Sequence, residues 1–257
     1  MAIERLTPEN SAEWHSLGIQ HLQRYEFASR FVKGKNVLDA ACGNGYGAYT
    51  LANLGAKAVT AIDLDADAIK YAKSHYFGNN LSYHCEDCFN LKPVVGGFDV
   101  ITSFETIEHL DDPKRFVQLL RQLIAADGCM IISAPNTLCY KRAAAPVANP
   151  FHVSEPTYQE FREWVETRFV IRQQWEQTPI ATSLGPQSSL VEKSALVRWI
   201  VRSELLVKRL AGRPSLAPML GFADSQARAP RVFTQVFPLL PERRAVADVF
   251  MFVCEPR

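Results

Sequence analysis

The apolar rhythm of the chain changes character twice. From Ser11 to Val32 (SAEWHSLGIQHLQRYEFASRFV) apolar and aromatic residues recur at helical spacing, which predicts one or two helices with an aromatic-rich face. Lys33-Gly34-Lys35 breaks that pattern, and Asn36 to Ala41 reads as a short buried strand running into glycines. Strands and helices then alternate. AVTAID (58–63), LSYHCED (81–87), FDVITS (98–103) and GCMIISAPN (128–136) read as strands. AYTLANLGA, ADAIKYAKSHY and DPKRFVQLLRQLI, the last opening at Asp112-Pro113, read as helices between them. Such alternation predicts a parallel sheet with helices on both faces.

Beyond Asn136 the rhythm is lost in a loop carrying Asn149-Pro150-Phe151-His152. It resumes with a helix (TYQEFREWVET), a strand-like FVIRQQWEQT and a strong terminal strand, DVFMFVCEP (248–256). The reading is one domain in four parts: an N-terminal helical cover (1–35), a core (36–179), a lid or insertion (180–245) and a terminal strand (246–257). The insertion centres on an amphipathic helix from Leu190 to Leu210, with Arg198, Arg202 and Arg209 opposite Leu196, Trp199, Leu206 and Leu210. Between Glu192 and Arg244 ten Lys/Arg stand against four Asp/Glu. A lid with a basic face, suited to an anionic acceptor, is the favoured reading, and docking on an anionic membrane surface is the other.

Composition narrows the class. With 47% apolar and 21% charged residues the chain is of ordinary globular type, and a net charge of +1 gives no field for nucleic acid. Neither a signal-peptide core nor a run of roughly 18 apolar residues is present. Of six cysteines only Cys85 and Cys88 form a CxxC. A closed zinc site needs a second pair, so reduced, buried thiols in a cytoplasmic protein are expected.

The candidate chemistry begins at VLDAACGNGYG (37–47), a strand delivering the chain to a glycine-rich turn that opens a helix. Gly43 and Gly45 let the backbone approach a ligand, with N–H groups facing it. Asp63 ends the next strand, 16 residues beyond Gly47, where a carboxylate can accept from both hydroxyls of an adenosine ribose. Asp87 closes the third strand, placed to meet an adenine amino group. Asp39 precedes the first glycine by four residues; it would repel a pyrophosphate and suits the α-ammonium of a methionine moiety. The dinucleotide pattern GxGxxG is absent, which weighs against nicotinamide or flavin.

Together these segments resemble the core of class I S-adenosylmethionine-dependent methyltransferases, in the subgroup of quinone-pathway and saccharide-modifying enzymes. VLDAACGNGYG is similar to the first motif, AIDLD to the ribose motif, CED to the adenine motif, FDVITSFETIEHL to the fourth-strand motif and GCMIISAPN to the fifth strand. The resemblance implies a Rossmann-like α/β fold: a seven-stranded, mostly parallel sheet with an antiparallel last strand and helices on both faces, here with a helical insertion before that strand. It implies S-adenosyl-L-methionine lined by Asp39, Gly43, Gly45, Asp63, Leu64, Asp87, Cys88 and Ser103, the last through its carbonyl. Among Trp14, His15, His21, Arg24 and Tyr25, all before the first strand, Arg24 and Tyr25 are candidate partners of the methionine carboxylate.

Glu105, Glu108 and His109 follow the fourth strand as E-x-x-E-H. On a helix those offsets share one face, near the expected sulfonium. With His152 they offer mixed oxygen and nitrogen ligands for a divalent cation of the magnesium, manganese or zinc type. The pattern resembles the metal site of small-RNA 2′-O-methyltransferases, and its first part that of quinone-pathway O-methyltransferases. No RNA-binding module accompanies it. Two other readings stand: His109 as a metal-free general base, and a structural or substrate-contact role. The catalytic candidates are His109, Glu105 and His152. The expected acceptor is a small hydroxylated molecule, anionic or sugar-containing: a saccharide or glycoconjugate first, and a natural product or quinone-like phenol second. A nucleotide-binding module without catalysis and a nicotinamide-dependent oxidoreductase are the alternatives from other classes. The chain also admits a homodimer and peripheral membrane contact.

Overall fold

The computed structural model describes residues 18–92, 95–140, 151–180, 233–238 and 249–257. Among the described residues eight strands form one sheet: β1 (Asn36–Ala40), β2 (Ala58–Asp63), β3 (Leu81–Cys85), β4 (Phe98–Ser103), β5 (Ile124–Pro135), β6 (Phe169–Ile180), β7 (Phe233–Pro238) and β8 (Val249–Pro256). Their order is β3-β2-β1-β4-β5-β8-β6-β7. β3, β2, β1, β4 and β5 pair in parallel. β8 runs antiparallel to both β5 and β6, which makes β6 parallel to β5. The expected seven-stranded sheet, six strands parallel and the last antiparallel, is therefore present. β7, inside the expected insertion, is an addition that sequence reading did not anticipate.

Among the described residues the longer helices are α1 (Ile19–Val32), α2 (Tyr46–Asn53), α3 (Ala66–His75), α4 (Pro113–Leu123) and α5 (Tyr158–Glu166), and a single helical turn, Thr137–Tyr140, follows β5. Their starts follow local chemistry. The Asp65 side chain caps α3 by accepting from Asp67 N and Ala68 N. Asp112 accepts from Arg115 N ahead of Pro113, whose fixed φ suits a first turn. Thr157 and Glu160 close a capping box on α5. α4 buries Phe116, Val117, Leu120 and Leu123, an amphipathic stripe on the core. That core joins β4 and β5 to α4, α5 and β8, where Phe161 stacks on Phe252 with ring centroids 4.6 Å apart.

Three boundaries differ from expectation. β3 stops at Cys85 because Asp87 accepts from Phe89 N and turns the chain into a 3-10 turn, Cys88–Asn90. β5 begins at Ile124, straight from α4, since Ile124 already pairs with Phe98 across a register shift. α2 begins at Tyr46, behind a left-handed Gly45.

By contact density the chain divides into two units. One holds the sheet from Leu22 to Thr178 and from Val236 to Arg257, and the other combines Leu6–His21 with Pro179–Gln235. The amphipathic Leu190 to Leu210 segment, with its arginines, lies outside the described residues, as do Trp14 and His15. Among the described residues no helix is long and apolar enough to cross a membrane. Within the sheet, strand order reverses beside β1: β2 lies on one side and β4 on the other. The carboxyl ends of β1 and β4 diverge into the crevice where open α/β sheets place their ligands.

Candidate functional site

The glycine turn after β1 is braced from β2. Gly43 N donates to Asp63 Oδ2 at 2.8 Å, and Asp65 N donates to Asp63 Oδ1 at 3.0 Å. Cys42 N donates to Ile62 O at 2.8 Å. Gly45, at φ +85°, faces Ala72 and Tyr83 so closely that a Cβ would stand 2.5 Å from Ala72 Cβ. Only glycine fits that approach. Leu64, next to Asp63, is 68% exposed, an apolar side chain held out into solvent beside a carboxylate. Cys88 is partly buried, and burial pushes its thiol up to about 12.

Asp39 is 1% exposed. Its carboxylate accepts from Tyr25 Oη at 3.1 and 3.2 Å and from Thr102 Oγ1 at 2.8 Å. Burial raises its pKa to about 7, against the lowering effect of those two neutral donors. Tyr25 lies edge-on to Phe104 and over Gly47, where a Cβ would stand 2.0 Å from its Cζ. Arg24 is also 1% exposed. Among the described residues its guanidinium donates to Gln177 Oε1 at 2.6 Å, its Nε has no hydrogen-bond partner, and no carboxylate pairs with it. A buried cation with one neutral partner is costly, and an anionic ligand would relieve it. Arg24 and Asp39 both stand near enough to Tyr46 for their charges to act on its phenol, which burial pushes well above its usual value. Ser103 Oγ, buried at the end of β4, has no partner among the described residues.

The segment after β4 is not the α-helix expected for E-x-x-E-H. Glu105 takes a left-handed backbone, φ +51°, and only Ile107–His109 forms a 3-10 turn. The reason is a tertiary contact: Ser133 Oγ on β5 accepts from Glu105 N at 3.2 Å and donates to Glu105 Oε1 at 2.7 Å, holding a conformation that L-residues disfavour. Glu105 is not part of the group that the other three candidates form among the described residues. Glu108, His109 and His152 do converge, each offering a ligand atom within 4.8 Å of the others, and Glu108 is fully buried. His109 Nε2 stands 3.9 Å from Glu108 Oε1, and the two imidazoles meet edge to face, centroids 4.9 Å apart. One carboxylate and two imidazoles fit a divalent cation that accepts mixed ligands. The CxxC pair is different: Cys85 is exposed, contrary to the expectation of buried thiols, and neither cysteine belongs to a group of three metal-ligating side chains among the described residues.

Thr102, Ser133 and Glu155 were not legible as site residues. Thr102 had a signal, because VLD and VIT stand in parallel register with Asp39 opposite Thr102. Ser133 sits on a strand that reads simply as buried. Glu155, whose carboxylate meets His152 Nδ1, lies three residues on in a loop with no periodicity.

A family model described as a methyltransferase domain matches residues 38–132. A Mycolicibacterium smegmatis protein, described as a probable S-adenosylmethionine-dependent methyltransferase, is 28% identical over 148 residues, covering 58% of this chain and 56% of that protein. The ubiquinone biosynthesis O-methyltransferase of Coxiella burnetii is 37% identical over 107 residues, covering 41% of this chain and 45% of the enzyme. The matched stretches thus span about half the length of these relatives. A crystal structure of an S-adenosylmethionine-dependent methyltransferase from Mesorhizobium loti is similar in fold, with a TM-score of 0.56 at 13% identity over 91% of this chain and 98% of that one.

Proposed function

Given that residues 38–132 form a methyltransferase domain of the class I, S-adenosylmethionine-dependent type, we propose that the chain transfers a methyl group to an oxygen of a small hydroxylated acceptor. The observation that carries the cofactor half is the pair of buried, opposite charges without ionic partners among the described residues. Asp39 is met only by neutral donors, and Arg24 only by a neutral acceptor. An amino-acid zwitterion complements both, its ammonium to Asp39 and its carboxylate to Arg24. Tyr25 supports Asp39 instead of meeting the ligand's carboxylate. Asp63 and exposed Leu64 suit a ribose and the face of an adenine, with Gly43, Gly45, Asp87, Cys88 and Ser103 around them.

S-adenosylmethionine, when bound, supplies an electrophilic methyl on a sulfonium. The acceptor oxygen forms the new C–O bond as the C–S bond breaks, sulfur keeps the electron pair, and the acceptor hydroxyl loses its proton. The protein's task is alignment and exclusion of water. Glu108, His109 and His152 would hold a divalent cation, which favours loss of the hydroxyl proton by withdrawing charge. With both imidazoles committed in that way, the Glu105 carboxylate is the group to take the proton. Without a cation, His109 Nε2 takes it, because Nδ1 already donates to the Phe151 carbonyl at 2.9 Å.

For the acceptor, similarity to the ubiquinone-pathway enzyme favours a phenol, while the NPFHV loop and the basic 192–244 stretch favour an anionic saccharide or glycoconjugate. Titration calorimetry with S-adenosylhomocysteine tests the cofactor half: binding is expected for the wild type and is weakened at least about tenfold in Arg24→Ala. Absence of binding by the wild type would overturn it. A radiolabelled methyl-transfer screen of catechols against hydroxylated saccharides, with and without chelator, separates the acceptor classes and the two proton routes.

A further inference from the structure

The loop Phe151–Glu155 is fastened to the turn that carries Glu108 and His109. Val153 N and Ser154 N both donate to the Glu108 carbonyl at 2.9 Å. The Ser154 hydroxyl lies 2.9 Å from the Leu110 carbonyl and 3.3 Å from that of Ile107. Beyond Glu155 the Pro156 carbonyl accepts from Thr137 N, and Thr157 opens α5 with its capping box. Glu155 therefore stands where the loop meets rigid elements on both sides.

Within this clamp both imidazoles use Nδ1 for support: that of His109 meets the Phe151 carbonyl, and that of His152 meets the Glu155 carboxylate. Carbonyl and carboxylate oxygens only accept, so each Nδ1 carries a proton, and in the neutral rings the lone pair is left to Nε2. The geometry points to Glu155 as a positioning residue that fixes His152 in the Nδ1–H tautomer, leaving Nε2 to act beside Glu108 and His109. The Phe151 carbonyl does the same for His109. The Glu155 side chain is 25% exposed and that of His152 12%, so the contact is largely shielded from water; its consequence is orientation and tautomer. The assignment rests on reading Glu108, His109 and His152 as one working group, as proposed above.

Long-range 15N–1H spectra of the metal-free protein, with resonances assigned from His109→Asn and His152→Asn, read the tautomers directly. Both rings should be Nδ1–H in the wild type. Glu155→Ala should shift His152 toward Nε2–H and leave His109 unchanged, whereas Glu155→Gln, whose amide oxygen still accepts, should keep Nδ1–H. Calorimetric affinity for Mn2+ should fall about tenfold to a hundredfold in Glu155→Ala and recover to within about fivefold of wild type in Glu155→Gln. An Nε2–H His152 in the wild type, or a tautomer indifferent to Glu155→Ala, overturns the assignment, and the wild-type spectrum decides even if a variant misfolds. Wild-type protein that binds no Mn2+ while the tautomers behave as expected removes the cation from the proposed function and leaves Glu155 as the positioning residue.

Discussion

Asp39→Asn should make the protein more stable at alkaline pH while weakening its hold on the cofactor. In the folded chain Asp39 is buried under Tyr25 and Thr102, with Asp63, Cys42 and Tyr46 near enough for charge to act between them, and its pKa rises to about 7. The unfolded chain ionises it near the ordinary value of 3.8. Between those values the native state binds the proton more tightly, so stability is full below the lower pKa and falls as pH rises toward the upper one. At about 1.4 kcal/mol per pH unit the interval amounts to about 4 kcal/mol, an upper bound on the cost of the buried charge. Asparagine keeps the shape and an acceptor for Tyr25 or Thr102, but its amide N–H groups need acceptors, at about 1 kcal/mol. In urea denaturation the variant should be slightly less stable than wild type at or below about pH 4 and about 2–3 kcal/mol more stable near about pH 8. Taking the difference between variant and wild type cancels the histidines that titrate in the same window. S-adenosylhomocysteine affinity should fall about tenfold to a hundredfold in Asp39→Asn. In the wild type its binding near about pH 6 should release close to one proton, measured by calorimetry in buffers of different ionisation enthalpy. A wild-type stability that is flat from about pH 5 to about pH 8, with a variant weaker at both ends, would refute the reasoning.

Asp63→Ala should lower S-adenosylhomocysteine affinity about tenfold to a hundredfold by calorimetry, since it removes both the ribose acceptor and the brace on Gly43 N. Gly47→Ala must displace the Tyr25 ring, and urea denaturation should show a loss of about 1–3 kcal/mol. On the cation reading, dialysis against chelator should silence methyl transfer and Mn2+ should restore it. Glu108→Gln and His152→Ala should then each cost nearly as much activity as the pair, because a ligand set acts as a unit. Ser133→Ala should free Glu105 from its left-handed backbone, lowering turnover of the acceptor while S-adenosylhomocysteine affinity stays within about threefold.

The placement of the candidate donor-side residues was legible because it is local to strand ends. A strand running into glycines, then Asp63 and Asp87 at the ends of the next two strands, follows from periodicity and turn chemistry alone. The partners of those residues were not. Tyr25 reaches Asp39 from a helix that precedes the sheet, and Arg24 meets Gln177 from a strand 153 positions away; no spacing rule connects them. Of the four candidates read after β4 and in the later loop, Glu108, His109 and His152 come together and Glu105 does not, and the backbone is not the helix expected. Offsets of three and four favour a helix, but a tertiary contact won: the Ser133 hydroxyl on β5 holds Glu105 outside helical geometry. Glu108 and His109 then meet His152 through the clamp of the 151–155 loop instead of along a helix face.

The two halves share one support, the paired ends of β4 and β5. Thr102, which holds Asp39, lies opposite Ile131, and Ser103 lies opposite Ile132, one position before Ser133. Two residues after Ser103 comes Glu105, held by that same Ser133. On the proposed function, one register therefore places the Asp39 carboxylate for the donor and the Glu105 carboxylate for the acceptor. In-line transfer needs the reacting atoms about 3–3.5 Å apart and aligned, and a fixed register meets that need better than mobile segments do. The strained backbone at Glu105, which costs on the order of 1–3 kcal/mol, is the local consequence of carrying an acidic side chain at the point where the strand ends and the acceptor side begins.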